Sequence, residues 1–253
     1  MNNLTIIHDS YLTASVHDSE TFTEQYILLR EKEGRLYTNE QIKNLPEINP
    51  GHPHYKEWLI RKKTSSRLLR HLSKNPAFNA LEVGCGNGWL TNKLSAATTG
   101  YAMGLDINKV ELLQAQKVFE HSPRLHFVNG DLLSGIPEDR KFDVIVFAAS
   151  IQYFSSLKDI LQTALQHLTL QGEIHIIDSR FYQPNEVSIA RERTREYFNA
   201  IGFPGMSRYY FHHCIDQLES FQYKILYDPS SWLDRLSFYK TPFHWIVIKN
   251  RYR

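Results

Sequence analysis

Ala80-Leu81-Glu82-Val83-Gly84-Cys85-Gly86-Asn87-Gly88-Trp89-Leu90 decides the fold of this chain. A short apolar run ends in an acid, breaks into glycines at alternate positions, and restarts with helical apolar spacing, which reads as strand, tight loop and helix start. Glycine at 84, 86 and 88 permits positive φ and leaves no Cβ between a ligand and the backbone. The first amides of the following helix are unsatisfied donors at the positive end of a helix dipole. A turn of this kind at the carboxyl end of a parallel strand is where open α/β sheets hold nucleotides.

Downstream of that loop, strand and helix alternate. Tyr101–Leu105 predicts a second strand ending at Asp106, and Asn108 with Glu111 opens a helix running to about His121. Leu125–Val128 is a third strand, Phe142–Phe147 a fourth, and Glu173–Asp178 a fifth. Between the last two, Ser156 with Asp159 caps a helix whose end is marked by Gly172. Strand-plus-helix periodicity requires parallel strands and right-handed crossovers. Tyr223–Asp228 and Phe243–Ile248 close the chain as strand-like runs.

Upstream, the sequence predicts a helix from about Ser19 to Glu33, a short one capped by Thr38, and a third from Tyr55 to about Ser73. Two segments are not needed by a sheet: residues 1–75, read as a helical N-terminal extension or cap, and 181–222, read as a substrate-side insertion in a domain spanning 76–253. Both are expected over the carboxyl edge of the sheet.

Composition excludes several classes. A net charge of +2 with no basic block gives no support to nucleic-acid binding, so no nucleic-acid partner is expected. The two cysteines, Cys85 and Cys214, lack the spacing of a thiolate metal site or a disulfide framework, which fits a reducing compartment. With neither a signal-peptide pattern nor a long apolar run, the expected location is cytoplasmic, with no membrane span. His52 and His54 flank Pro53 without an acid or cysteine at ligand spacing, so no metal site is expected.

Three acids sharpen the ligand. A dinucleotide fingerprint wants glycine or alanine three positions after Gly86, where Trp89 stands, too large for close helix–strand contact. No GxxxxGK[ST] run exists to hold a triphosphate. Asp106 ends the second strand, where a carboxylate can accept both hydroxyls of a ribose. Asp131 follows the third, able to accept from an adenine amine with Leu132 packed on the ring. Singly, each acid reads as a turn or cap residue; with Glu82, at successive strand ends, they read as a nucleoside site.

Glu82-Val83-Gly84-Cys85-Gly86-Asn87-Gly88, Gly104-Leu105-Asp106-Ile107, Gly130-Asp131-Leu132 and Phe142-Asp143-Val144-Ile145 resemble, in order and spacing, the class I S-adenosylmethionine-dependent methyltransferases. Leu168-Thr169-Leu170-Gln171-Gly172-Glu173 resembles that family's turn before its fifth strand. The resemblance covers roughly residues 77–180. It implies an α/β, Rossmann-like, doubly wound seven-stranded sheet, mostly parallel with an antiparallel last strand. It implies S-adenosyl-L-methionine as cofactor, with contacts from Glu82, Gly84, Cys85, Gly86, Gly88, Asp106, Ile107, Asp131, Leu132 and Ala148. Among these, Gly84–Gly88 would meet the methionine part, Asp106 the ribose, and Asp131 with Leu132 the adenine.

The resemblance also implies that Ala148–Phe154 meets the methyl acceptor. The Asn/Asp-Pro-Pro-aromatic signature of nucleobase amino-methylation is absent there, and no paired-acid metal signature accompanies it. The expectation is methyl transfer to a small molecule or metabolite, against two alternatives: an RNA or protein methyltransferase, or a non-catalytic cofactor-binding scaffold. Tyr153 and His212 are the candidate catalytic residues, each with a packing reading beside it. Arg61 stands either as a partner of the cofactor carboxylate or on a solvated helix face. Tyr37, Tyr55, Trp58, Tyr182, Tyr209, Tyr210 and Phe211 suggest a partly apolar acceptor pocket or, equally, core packing.

Overall fold

The computed structural model describes residues 16–136, 140–231 and 240–250. The first fifteen residues of the N-terminal extension, and 232–239 of the connection between the last two strands, lie outside the described residues. Seven strands form one sheet: β1 (Ala80–Val83), β2 (Ala102–Asp106), β3 (Leu125–Asn129), β4 (Phe142–Ala148), β5 (Leu168–Ile177), β6 (Gln222–Tyr227) and β7 (Trp245–Lys249), in the order β3-β2-β1-β4-β5-β7-β6. Strand β7 runs antiparallel between β5 and β6, and the other pairings around β1 are parallel. The expected sheet, including an inserted antiparallel strand near Phe243–Ile248, is the observed one.

Seven helices accompany it among the described residues: α1 (Val16–Lys32), α2 (Asn39–Asn44), α3 (Tyr55–Leu72), α4 (Trp89–Ala97), α5 (Lys109–Val118), α6 (Leu157–Gln166) and α7 (Val187–Ala200). The start signals work as capping chemistry dictates. The Thr38 hydroxyl accepts from Gln41 N while the Gln41 side chain accepts from Thr38 N; Asn108 accepts from Val110 and Glu111 N; Ser156 accepts from Asp159 N.

One boundary differs. Gly172 lies not past a helix end but inside β5, which starts at Leu168. Leu168 already pairs with Phe142, the register slips, and pairing resumes at Val144 with Glu173. Glycine suits the slip because a Cβ at 172 would sit 2.7 Å from the Leu168 side chain and 3.0 Å from the Asp143 carbonyl.

Three cores result. On one face of the sheet, Trp58, Leu68 and Leu72 of α3 join Leu90, Leu94, Leu112 and Ala115 over Ala80, Ala102 and Val146. On the other, Leu157, Ile160, Leu161 and Ala164 of α6 cover Leu81, Ile145, Phe147 and Ile176. Burial on both faces is why the central strands are continuously apolar. A third, small core lies apart from the sheet: Leu29 of α1, Phe198 of α7 and Met206 of the 3-10 turn Pro204–Tyr209, with Phe22, Tyr26 and Tyr210 packed around them. Glu33 ties these pieces together, accepting from Tyr197 of α7 and pairing with Arg30 and Arg35. Among the described residues no helix is long and apolar enough to cross a membrane.

Candidate active site

The glycine loop begins where β1 ends. Gly84 N and Cys85 N both donate to Leu105 O at 2.8 and 3.2 Å, folding the loop across the top of β2. Gly84 has φ +73°, and a Cβ there would lie 2.6 Å from that of Ser150, whose hydroxyl donates to Val83 O at 2.6 Å. The loops after β1 and β4 therefore touch, and only glycine allows it. Gly88 serves packing: a Cβ there would strike the Phe127 ring at 2.4 Å and Ala115 at 3.0 Å. Trp89, the residue set against a dinucleotide, is buried edge-on to Trp58 at 5.3 Å, locking α4 to α3.

Asp106 organises the loop from β2. Its Oδ2 accepts from Gly86 N at 2.7 Å and its Oδ1 from Asn108 N at 2.8 Å. Each oxygen keeps a further lone pair, so the carboxylate can hold the loop and still accept two hydroxyls. Burial raises its pKa against these amide bonds. Asp131 accepts from Leu133 N at 3.0 Å through one oxygen, as cap of a 3-10 turn, leaving the other free.

Two cavities open around this loop. The larger, about 310 Å³, is lined at one end by Gly84, Gly86, Asp106, Ile107, Asp131 and Leu132, and at the other by Phe22, Tyr26, Tyr153, Phe154 and Tyr209. The smaller, about 90 Å³, lies beside Glu82, Cys85 and Ala148 and is lined by Arg30, Arg35 and Arg61 facing Glu57, Glu82 and Glu111. Tyr26, Gly84, Gly86, Glu111 and Ala149 line both, so the two are one cleft in two rooms. The cradle is a floor of backbone and carboxylates at strand ends, roofed by aromatic rings from α1 and the turn after β4.

Arginines and acids interleave in the small room. Glu82 is 3% exposed and accepts from the Thr91 hydroxyl at 2.5 Å; burial, opposed by that bond and reinforced by Asp106, pushes its pKa up to about 8. Burial and Asp106 likewise raise Glu111 to about 7. Arg35 and Arg61 clasp Glu57 at 2.6 and 3.1 Å, and although burial opposes them they hold its carboxyl below the usual range.

Glu111 escaped the sequence reading, which assigned it to a helix cap. Its carboxylate instead lies where a Cβ on Gly86 would be 3.4 Å away, facing the loop. The signal was available: the third residue past the Asn108 cap, one turn above an acid-ended strand, points back over that strand end. Arg30, Tyr26 and Phe22 carried no such signal. Arg61 lines the small room and lies over Trp58 at 5.3 Å. Cys85 is buried, its Sγ where a Cβ on Gly104 would be 2.7 Å distant, so its side chain packs under the loop.

Tyr153 sits at the aromatic end. Its ring meets Tyr26 edge-on at 5.8 Å, and its hydroxyl lies 3.4 Å from the Arg30 guanidinium, which also donates to Tyr26 at 2.8 Å. His212 is elsewhere: buried between Tyr182 and Tyr210, its Nε2 2.9 Å from the Thr194 hydroxyl, it lines a third cavity beneath α7. His213 packs against Phe181, with Nε2 3.1 Å from Ile151 O.

One histidine cluster was not foreseen. Donor atoms of His71, Glu173 and His175 lie within 4.8 Å of one another, on α3 and β5. Lys249 already holds Glu173 at 2.6 Å, and Trp245 Nε1–H donates to His175 Nδ1 at 3.2 Å. That bond leaves the His175 proton on Nε2, 3.3 Å from Glu173 but not aligned to donate to it, while His71 Nε2 lies 2.9 Å from the same carboxylate, so the group reads as a polar network in which Glu173 is already engaged.

Residues 80–172 match a family model described as a methyltransferase domain. The chain is 32% identical over 124 residues to the malonyl-[acyl-carrier protein] O-methyltransferase of Priestia megaterium, covering 46% of this chain and 43% of that protein. It is 25% identical over 118 residues to the enzyme of the same name from Bacillus anthracis, covering 45% and 43%. The chain thus spans less than half the length of the curated relatives it matches. Among solved structures, the YcgJ protein from Bacillus subtilis aligns with a TM-score of 0.57 at 13% identity, over 76% of this chain and all of that one. The plantazolicin methyltransferase BpumL, solved with SAH, aligns at 0.54 and 14%, over 93% and 99%. Motifs, strand order and family match together identify a class I S-adenosylmethionine-dependent methyltransferase domain in this chain.

Proposed function

We propose that this class I methyltransferase domain binds S-adenosyl-L-methionine in the two-room cleft and methylates a small-molecule or metabolite acceptor at its aromatic end. The observation that carries the reading is a single cavity with Asp106 and Asp131 at one end and Phe22, Tyr26, Tyr153 and Tyr209 at the other. The residues fit the cofactor. Asp106 has spare acceptor capacity for ribose hydroxyls, Asp131 has a free oxygen for an adenine amine, and Ile107 and Leu132 are apolar neighbours for the base. The small room offers arginines to a carboxylate and glutamates to an ammonium, which is what a free amino-acid group requires.

When bound, the cofactor supplies an electrophilic methyl group on a sulfonium, so the chain itself must align the acceptor and exclude water. Gly84 and Ser150 bring the β1 and β4 loops into contact at the wall of the large room. Glu82, Asp106 and Glu111, whose pKa values burial raises, ionise more readily beside a cationic ligand and then balance its charge. Tyr153, whose oxygen accepts from an Arg30 N–H, has its O–H available to orient the acceptor. The malonyl-[acyl-carrier protein] O-methyltransferases share the core; an oxygen acceptor on a carried group is therefore a second reading for this chain.

Calorimetric titration with S-adenosylhomocysteine and, separately, NAD tests the cofactor. Binding of the first alone is expected; tighter binding of NAD sinks the reading, and binding of neither leaves the scaffold alternative without its ligand as well. Labelled-methyl transfer into metabolite extracts, RNA and protein then separates the acceptor classes, with incorporation expected in the metabolite fraction.

A further inference from the structure

The third cavity, about 400 Å³, lies between α7 and the aromatic loop 204–213, next to the acceptor end of the cleft. Ser155 lines both this cavity and the large room, and the consecutive residues Tyr209 and Tyr210 line one each. Its charged walls are Arg191, Arg195 and Arg208, and among the described residues no carboxylate lines it. Arg195 reaches Glu192 at 2.7 Å, outside the lining; Arg208 donates to the Tyr209 hydroxyl; Arg191 has no ion pair among the described residues. The Ser155 hydroxyl adds a neutral donor; those of Thr194 and Ser207, also in the lining, are bonded to His212 Nε2 and Pro204 O. In the floor His212 is 7% exposed, and its Nδ1 is buried with no hydrogen-bond partner.

Arg195 is paired with Glu192 outside the lining, while Arg191 and Arg208 bring positive charge to the cavity with no ion pair among the described residues, an arrangement that an anion of charge up to −2 would balance. Guanidinium forks from α7 and from the 204–209 turn, with the Ser155 hydroxyl, suit a group with several acceptor oxygens in a tetrahedron, which describes phosphate better than a flat carboxylate. We infer that the cavity under α7 is a phosphate subsite, and that the methyl acceptor carries a phosphate group seated there while its reacting end lies beside Tyr153. The link to the acceptor rests on the methyl-transfer reading; the anion site itself does not.

The test uses the full chain. Inorganic phosphate and dimethyl phosphate are titrated while the histidine ring signals are followed by NMR, with the affinity for S-adenosylhomocysteine measured in parallel. Phosphate is expected to shift the His212 ring saturably. The Arg191→Gln, Arg208→Gln double variant is expected to weaken that binding by at least about tenfold per charge removed, with S-adenosylhomocysteine affinity unchanged as proof of folding. No His212 shift, or a shift that survives in the double variant, overturns the site. Failure of S-adenosylhomocysteine to bind overturns the methyl-transfer reading instead. For the acceptor, metabolite extracts are treated with phosphatase alone or with phosphodiesterase added before labelled-methyl transfer. Loss of incorporation with phosphatase alone assigns a monoester, loss only with both assigns a diester, and incorporation unaffected by either refutes a phosphorylated acceptor.

Discussion

Two cavities in this molecule are each walled by three arginines, and they differ in what faces those arginines. Beneath the glycine loop, Arg30, Arg35 and Arg61 meet Glu57, Glu82 and Glu111. Under α7, Arg191, Arg195 and Arg208 line a wall that, among the described residues, holds no acid. Arginines interleaved with acids in a small buried room suit a ligand that is itself a zwitterion, because each of its ends finds a partner of opposite kind. Unbalanced charge at an open, exposed wall suits an anion. The same residue type is thus set among acids in one place and away from them in the other, and the difference lies in burial and neighbours.

That contrast breaks first at Arg30. Its guanidinium serves Glu33, Tyr26 and Tyr153 with the side chain 21% exposed, so Arg30→Met leaves three polar groups short of a partner. A loss of about 3 kcal/mol in denaturant unfolding is expected; a loss below 1 kcal/mol makes the small room no more structural than the other. Next, Asp106→Ala removes both the ribose acceptor and the anchor of Gly86, and S-adenosylhomocysteine affinity should fall roughly 30- to 100-fold by calorimetry. Unchanged affinity would place the ribose elsewhere.

Glu82 tests the cost of burying an acid in the small room. Its folded pKa, about 8, stands above its unfolded value. The folded state therefore holds an extra proton, and the penalty for ionising it grows from about pH 4.5 until pH passes the folded value. Unfolding of Glu82→Gln should stay within about 1 kcal/mol of wild type at pH 5 and exceed it at pH 8.5 by about 4 kcal/mol, while cofactor affinity declines. A gain at pH 5 instead would contradict the burial of an acid as its cause. Smaller still, S-adenosylhomocysteine should bind several-fold better at pH 8 than at pH 6, as Glu111 and Glu82 ionise opposite its ammonium. Methylthioadenosine, lacking the amino-acid group, should show a flat profile over that range. At the bottom of the scale, Arg191→Gln should change stability by less than about 0.5 kcal/mol, because its exposed guanidinium has no ion pair among the described residues to lose.

Legibility followed distance along the chain. The nucleoside end of the cleft comes from β1, β2, β3 and the turns that follow them, all between residues 80 and 133, so every group sits within a few residues of a strand end whose periodicity announces it. The strand β7 and its place beside β5 were reached by resemblance, since no local pattern specifies pairing with a strand some 70 residues earlier. The Gly172 boundary failed because glycine after a helical run ordinarily stops a helix, whereas here it accommodates a register slip against Asp143. Glu111 was misassigned for the same reason in reverse: capping explains an acid at that position so well that its second role is hidden.

The sequence by itself determined the alternation of strand and helix, the glycine loop, and the row of acids at strand ends, because backbone conformation and face-burial are written in the nearest few residues. Only the tertiary structure decided what surrounds them. Arg30, Tyr26 and Phe22 reach the cleft from a helix that precedes β1 by about fifty residues, and the three arginines of the α7 cavity come from two segments whose local sequence reads as a solvated face and an irregular loop. Charge balance is a property of groups brought together across the fold; a sequence lists its arginines, and only packing assigns each one a partner or leaves it facing open space.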